Sequence, residues 1–69
     1  MSLNNKPLLT TREEEVMKLV RMGLPNKGIA SELNISAETV KKHLKNIFEK
    51  LQARNKIEAL NKMEARQDS

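Results

Sequence analysis

The chain has no cysteine, no tryptophan and no tyrosine, and it has a single histidine. Without thiols it can form neither a disulfide nor a thiolate-bound zinc site. One histidine leaves no Cys–His pair and no multi-histidine metal cage. With only two glycines there is no glycine-rich phosphate loop. The early acidic residues Glu13, Glu14 and Glu15 are adjacent, which spreads carboxylates around a helix instead of converging them. The usual enzyme constellations are therefore missing, and the expectation is a protein that is not an enzyme and uses no cofactor or metal. No apolar run approaches the roughly 18 residues of a membrane span, and the N-terminus lacks the basic and apolar regions of a signal peptide. A soluble cytoplasmic protein is expected.

What the chain does have is aliphatic bulk and charge. Its 69 residues suffice for one domain, near the lower limit for independent folding. Leu, Ile, Val and Met must supply the core, with Phe48 the only aromatic. The net charge of +4 suits a polyanionic partner. Its distribution is more informative. Acidic residues cluster at 13 to 15, whereas Lys41, Lys42, Lys45, Lys50, Arg54 and Lys56 fall later.

The pattern predicts an all-α, compact four-helix domain over residues 9–65, after a disordered segment or linker over 1–8 and before a frayed tail over 66–69. The first helix starts behind Thr10 or Thr11, each of which begins a capping box. It carries Val16, Leu19 and Val20 inward, with Met17 at the margin, and stops at Gly23. Asn26 is expected to cap a short second helix ending near Leu33, with Gly28 weakening its interior. Asn34 tolerates the left-handed turn. Ser36 caps a third helix over about 37–51, in which Val40, Leu44, Ile47, Phe48 and Leu51 recur with period 3.6. Asn55 caps a fourth helix, where Ile57 and Leu60 close the core while Ala59 and Met63 are left for a dimer contact.

Residues 26–45 thus read as two helices across a tight turn, the arrangement that offers a helix to the DNA major groove. The buried stripe fixes which face of the third helix is free, and Lys41, Lys42 and Lys45 lie on it. Lysine donates to guanine O6 and N7 or neutralises a phosphate. Asn26 and Lys27 head the second helix, where amides attract anions. Thr39 serves either a phosphate or a local cap. His43, at the stripe's edge, serves either packing or a phosphate. Ser36 and Asn46 complete the candidate DNA-binding set.

Several blocks carry a family resemblance. They are Leu9-Thr10-x-Arg12-Glu13-x-Glu15-Val16, Gly23-Leu24-x-Asn26-Lys27-x-Ile29-Ala30, Leu33-x-Ile35-Ser36-x-x-Thr39-Val40-Lys41-x-His43-Leu44 and Asn46-Ile47-Phe48-x-Lys50-Leu51. Together they resemble the LuxR-type (GerE- or FixJ-type) helix-turn-helix domain from about Leu9 to Met63. The resemblance implies a bacterial transcription regulator, often the output end of a longer response regulator or sensor. It also implies a third helix in the major groove reading bases through positions 41, 42 and 45, and a homodimer paired through the fourth helix on two half-sites of double-stranded DNA. RNA polymerase is a further implied partner. Gly28, Gln52 and Lys56 depart from the family's usual glutamate, glycine and arginine. Two other readings remain open. One is a protein-interaction module that reuses the fold, motivated by Glu13 to Glu15. The other is promoter binding like the fourth region of sigma factors.

Overall fold

The computed structural model describes residues 9–68, and side chains as far as residue 64. Four helices follow one another without strands among the described residues: α1 Thr11–Arg21, α2 Asn26–Leu33, α3 Ala37–Leu51 and α4 Lys56–Asp68. The segment 1–8 lies outside the described residues. The tail expected to fray from residue 66 is helical as far as Asp68.

Local chemistry explains where each helix begins. Thr10 caps α1 through a reciprocal box: its hydroxyl accepts from the Glu13 amide at 3.1 Å, and the Glu13 carboxylate accepts from the Thr10 amide at 3.0 Å. Ser36 caps α3 by accepting from the Thr39 amide at 3.0 Å. At the start of α4, Asn55 accepts from the Glu58 amide at 2.9 Å, while the Glu58 carboxylate reaches back to the Arg54 amide at 2.8 Å. Asn26 departs from expectation. The chain is already extended at Pro25, so Pro25 occupies the cap position, Asn26 becomes the first helical residue, and no side chain caps α2.

One device ends the first three helices. Gly23, Asn34 and Gln52 each adopt positive φ, at 92°, 60° and 56°. The residue after each turns back to a carbonyl five positions earlier: Leu24 to Leu19 at 3.2 Å, Ile35 to Ala30 at 3.0 Å and Ala53 to Phe48 at 2.8 Å. This is the Schellman arrangement, in which a left-handed residue lets two amides satisfy the helix's last carbonyls. Leu24, Ile35 and Ala53 then pack against the core, so each stop also redirects the chain inward. Glycine takes such a φ freely, whereas Asn34 and Gln52 hold it against a Cβ penalty.

The core gathers Val16, Met17 and Val20 from α1, Ile29 and Ala30 from α2, Val40, Leu44, Ile47 and Leu51 from α3, and Ala59 from α4. Three details differ from the sequence reading. Met17 is fully buried and Leu19 only partly, because α1 packs against both α3 and α4 and Met63 of α4 lies in the same groove as Met17. Phe48 is half-buried at the edge of the stripe. Ile57, expected to close the core, is 70% exposed, and Ala59, expected at a dimer contact, is 0% exposed. Two residues along a helix is more than half a turn. Once Ala59, Leu60 and Met63 face the core, Ile57 must point away. Met63 packs partly against the core as well.

A buried ion pair ties α1 to α3. The Glu13 side chain, 6% exposed, accepts a 2.7 Å hydrogen bond from Lys50 Nζ, whose side chain is 35% exposed. Burial alone would raise the Glu13 pKa. The Lys50 hydrogen bond, the Thr10 amide and the charges of Lys50 and His43 outweigh it and hold the carboxyl below its ordinary 4.5.

Candidate nucleic-acid interface

α3 shows its buried stripe to α1, α2 and α4 and its opposite face to water. Lys41, Lys42, Lys45 and Asn46 are all exposed on that open face. Among the described residues none of their side chains takes part in a hydrogen bond or ion pair. The domain spends other cations internally: Lys50 on Glu13, Arg12 on Glu15 at 3.2 Å, Arg21 on Glu64 at 3.4 Å, and Lys62 on the Gln52 carbonyl at 2.8 Å. The internal use of Lys50 removes it from the basic surface suggested by the charge distribution, and it also takes Glu13 out of the acidic surface at residues 13 to 15.

The helix-turn-helix sets the angle at which this face is presented. Asn34 turns the chain in the left-handed region, Ile35 anchors it inward, and Ser36 starts α3 at once. Ser36 and Thr39 also hydrogen-bond hydroxyl to hydroxyl at 2.9 Å. The pair holds two hydroxyl protons and uses one between its oxygens. The other remains free for an acceptor such as a phosphate oxygen. Thr39 therefore serves the cap and retains donor capacity within the pair.

A cleft beside the lysines is lined by Asn26, Lys41, Leu44, Lys45, Phe48, Arg54, Asn55 and Lys56. Its floor is apolar and its rim cationic. Lys27 is exposed at the start of α2, where the first amides have no side-chain partner and the helix dipole favours an anion. Asn26 Oδ1 is buried and has no partner. A hydrogen-bond donor entering the cleft would satisfy it. His43 is half-buried and lies near enough to Glu13 to help hold that carboxyl down. Arg54, noted in the sequence only as charge, and Lys56, noted as charge and as a departure from the family's arginine, are brought to the rim by the α4 cap. Neither has a local motif of its own.

Among the described residues no group of three His, Cys, Asp or Glu side chains converges as a metal site, and no helix is long and apolar enough to cross a membrane. What the arrangement offers chemically is a convex, donor-rich helix face flanked by cations. Such a surface matches stacked base edges bordered by phosphates.

Comparison with known proteins points the same way. The sequence profile of the family described as "Bacterial regulatory proteins, luxR family" matches residues 7–66. The nitrate/nitrite response regulator protein NarL of Escherichia coli strain K12 is 45% identical over 51 residues, which cover 74% of this chain and 24% of that protein. The transcriptional regulatory protein DesR of Bacillus subtilis strain 168 is 48% identical over 52 residues, covering 75% of this chain and 26% of that protein. The spore germination protein GerE of the same Bacillus strain is 45% identical over 56 residues, covering 81% of this chain and 76% of that protein. The chain thus spans about a quarter of the length of NarL and DesR and about three quarters of GerE.

Proposed function

Since the chain belongs to the luxR family of bacterial regulatory proteins, we propose that it binds double-stranded DNA sequence-specifically, in the cytoplasm, with the open face of α3 in the major groove. The observation that carries this reading is the trio Lys41, Lys42 and Lys45. They stand in the first turns of the second helix of a helix-turn-helix, exposed and, among the described residues, in no hydrogen bond or ion pair. Those turns are the ones that reach base edges in this motif. Lys27, Arg54 and Lys56 flank them and neutralise the adjoining backbone, with the free proton of the Ser36–Thr39 pair as a further phosphate contact.

The functional unit is a homodimer on two half-sites, paired through the outer face of α4. Ile57 supports this, because it leaves an aliphatic side chain 70% exposed beside Asn61, Lys62 and Glu64, the polar exposed residues of the described part of the helix. Ala59 takes no part, being enclosed in its own chain. Met63 contributes only at the edge.

Fluorescence titration of labelled promoter duplexes against an equal length of scrambled DNA tests the reading. The triple variant Lys41→Ala, Lys42→Ala, Lys45→Ala should keep its helical melting profile and lose the preference for promoter over scrambled duplex. Wild-type affinity should fall with salt at a logarithmic slope of roughly −0.9 per phosphate contact. A folded triple variant with undiminished discrimination would remove α3 from the groove.

A further inference from the structure

We infer that Glu38 is a specificity-determining residue of the reading face. Its carboxylate accepts a hydrogen bond from the exocyclic amine of a base in the major groove, cytosine N4 first and adenine N6 second. The inference rests on the groove assignment proposed above and adds one contact to it.

Position comes first. Glu38 lies in the first turn of α3 and precedes Lys41, Lys42 and Lys45 by three, four and seven residues, the spacing of one helix face. Nine residues separate it from Ile47, which is two and a half turns. Ile47 is fully buried, so Glu38 stands at the middle of the open face, opposite the deepest part of the stripe. Glu49 shares that face but sits near the helix end, away from the first turns that meet bases.

Glu38 also has no hydrogen-bond or ion-pair partner among the described residues. It is exposed, and the cap of α3 is already made by Ser36. Although Lys41 and Lys42 are at ion-pair spacing, neither bridges to it among the described residues. An ionised carboxylate only accepts hydrogen bonds. Over guanine O6 or thymine O4 it would meet another acceptor, and beside a phosphate it would meet like charge. Among the edges exposed in the major groove only the amines of cytosine and adenine satisfy it, and glutamate over cytosine N4 is the favoured pairing. A carboxylate among the lysines of the first turns therefore lowers non-specific affinity and adds discrimination at one base position, by rejecting the wrong edge.

The rival role for Glu38 is to stabilise the positive end of the α3 dipole. That role would affect melting but no base preference, which separates the two. The test selects from a duplex pool with randomised positions, using the full chain, and compares wild type, Glu38→Ala and Glu38→Gln. Defined duplexes differing at single base pairs then follow. Wild type should prefer an amine-bearing base at one position per half-site by about tenfold. Glu38→Ala should lose that preference and keep the others, and should bind scrambled DNA more tightly. Glu38→Gln should shift the same position toward adenine, which takes an amide through N6 and N7. The wild-type preference between cytosine and adenine at that position identifies which amine is read. Unchanged base preferences in both variants, with only the melting temperature lowered, would overturn the inference. A wild-type chain without any sequence preference would overturn the groove assignment and this contact together.

Discussion

Replacing Glu13 by glutamine isolates the charge of the buried Glu13–Lys50 ion pair from its shape. Glutamine keeps an acceptor for the Thr10 amide and for Lys50 Nζ, which lie 3.0 and 2.7 Å from Glu13 Oε1. A hydrogen bond to a charged group contributes about 1.5–3 kcal/mol and a neutral one about 1 kcal/mol. Lys50 is about one-third exposed, so screening trims the difference of about 0.5–2 kcal/mol, leaving a loss of about 0.5–1.5 kcal/mol near neutral pH. Removing the acceptor altogether, in Glu13→Ala, strands the ammonium and the Thr10 amide and costs about 2–4 kcal/mol. In a domain this small each kcal/mol moves the melting temperature by about 4–8 °C.

The pH dependence makes this more discriminating. Glu13 has a folded pKa below its ordinary 4.5. It therefore binds fewer protons folded than unfolded in that range, and its contribution is fully present above 4.5 and lost as pH falls through the folded value. The amide of the Glu13→Gln variant does not titrate. Thermal melts of both proteins by helical circular dichroism should show a gap near pH 7 that closes progressively below 4.5, while the background titration of the remaining carboxylates cancels between them. A gap of the same size at about pH 3 would refute the claim that this carboxylate is held ionised by Lys50 and Thr10.

Other changes follow from local geometry. Gln52→Gly should stabilise the domain by about 0.5–1 kcal/mol, because Gln52 holds φ 56° against a Cβ penalty that glycine lacks. An unmoved or lowered urea midpoint would show that the turn is not strained. Gly28→Ala should raise stability by about 0.5–1 kcal/mol through helix propensity, since the added Cβ meets Leu24 side-chain atoms at 3.4 Å, an ordinary contact. A loss in differential scanning calorimetry would mean that Leu24 cannot accommodate it. Ile57→Asp should leave melting of the isolated chain within a few degrees and weaken binding to a two-half-site duplex while sparing a single half-site. Equal effects on both duplexes would separate Ile57 from pairing.

Apart from Phe48, which is only half-buried, α3 is legible in the sequence. Its bounds, Ser36 cap and buried stripe emerge because periodicity, capping and the preceding turn are local signals that agree. The same holds for the Thr10 box and for Asn34. The positions that mislead are those decided by two neighbours at once. Met17 reads as marginal because a single apolar stripe assumes one packing partner, whereas α1 lies against both α3 and α4. Ile57 and Ala59 exchange places because α4 is weakly amphipathic, and the small residue is the one that lets the helix approach the core. Asn26 reads as a cap, but Pro25 takes the extended position ahead of it. Glu13 and Lys50 stand 37 residues apart, and no local pattern marks them as partners. Of the candidate interface, Lys41, Lys42 and Lys45 are readable as the complement of the stripe, whereas Arg54 and Lys56 join it only through the folded chain.

The open face of α3 makes no hydrogen bond or ion pair with the rest of the domain among the described residues. Substitutions at 38, 41, 42, 45 and 46 are therefore nearly free of folding consequences, since surface positions without partners usually change stability by less than about 0.5 kcal/mol. Evolution can rewrite the address without rebuilding the reader. Duplicated copies of such a gene could diverge toward new operators by a few point mutations in one helix, each intermediate still folding, and an engineer could follow the same route.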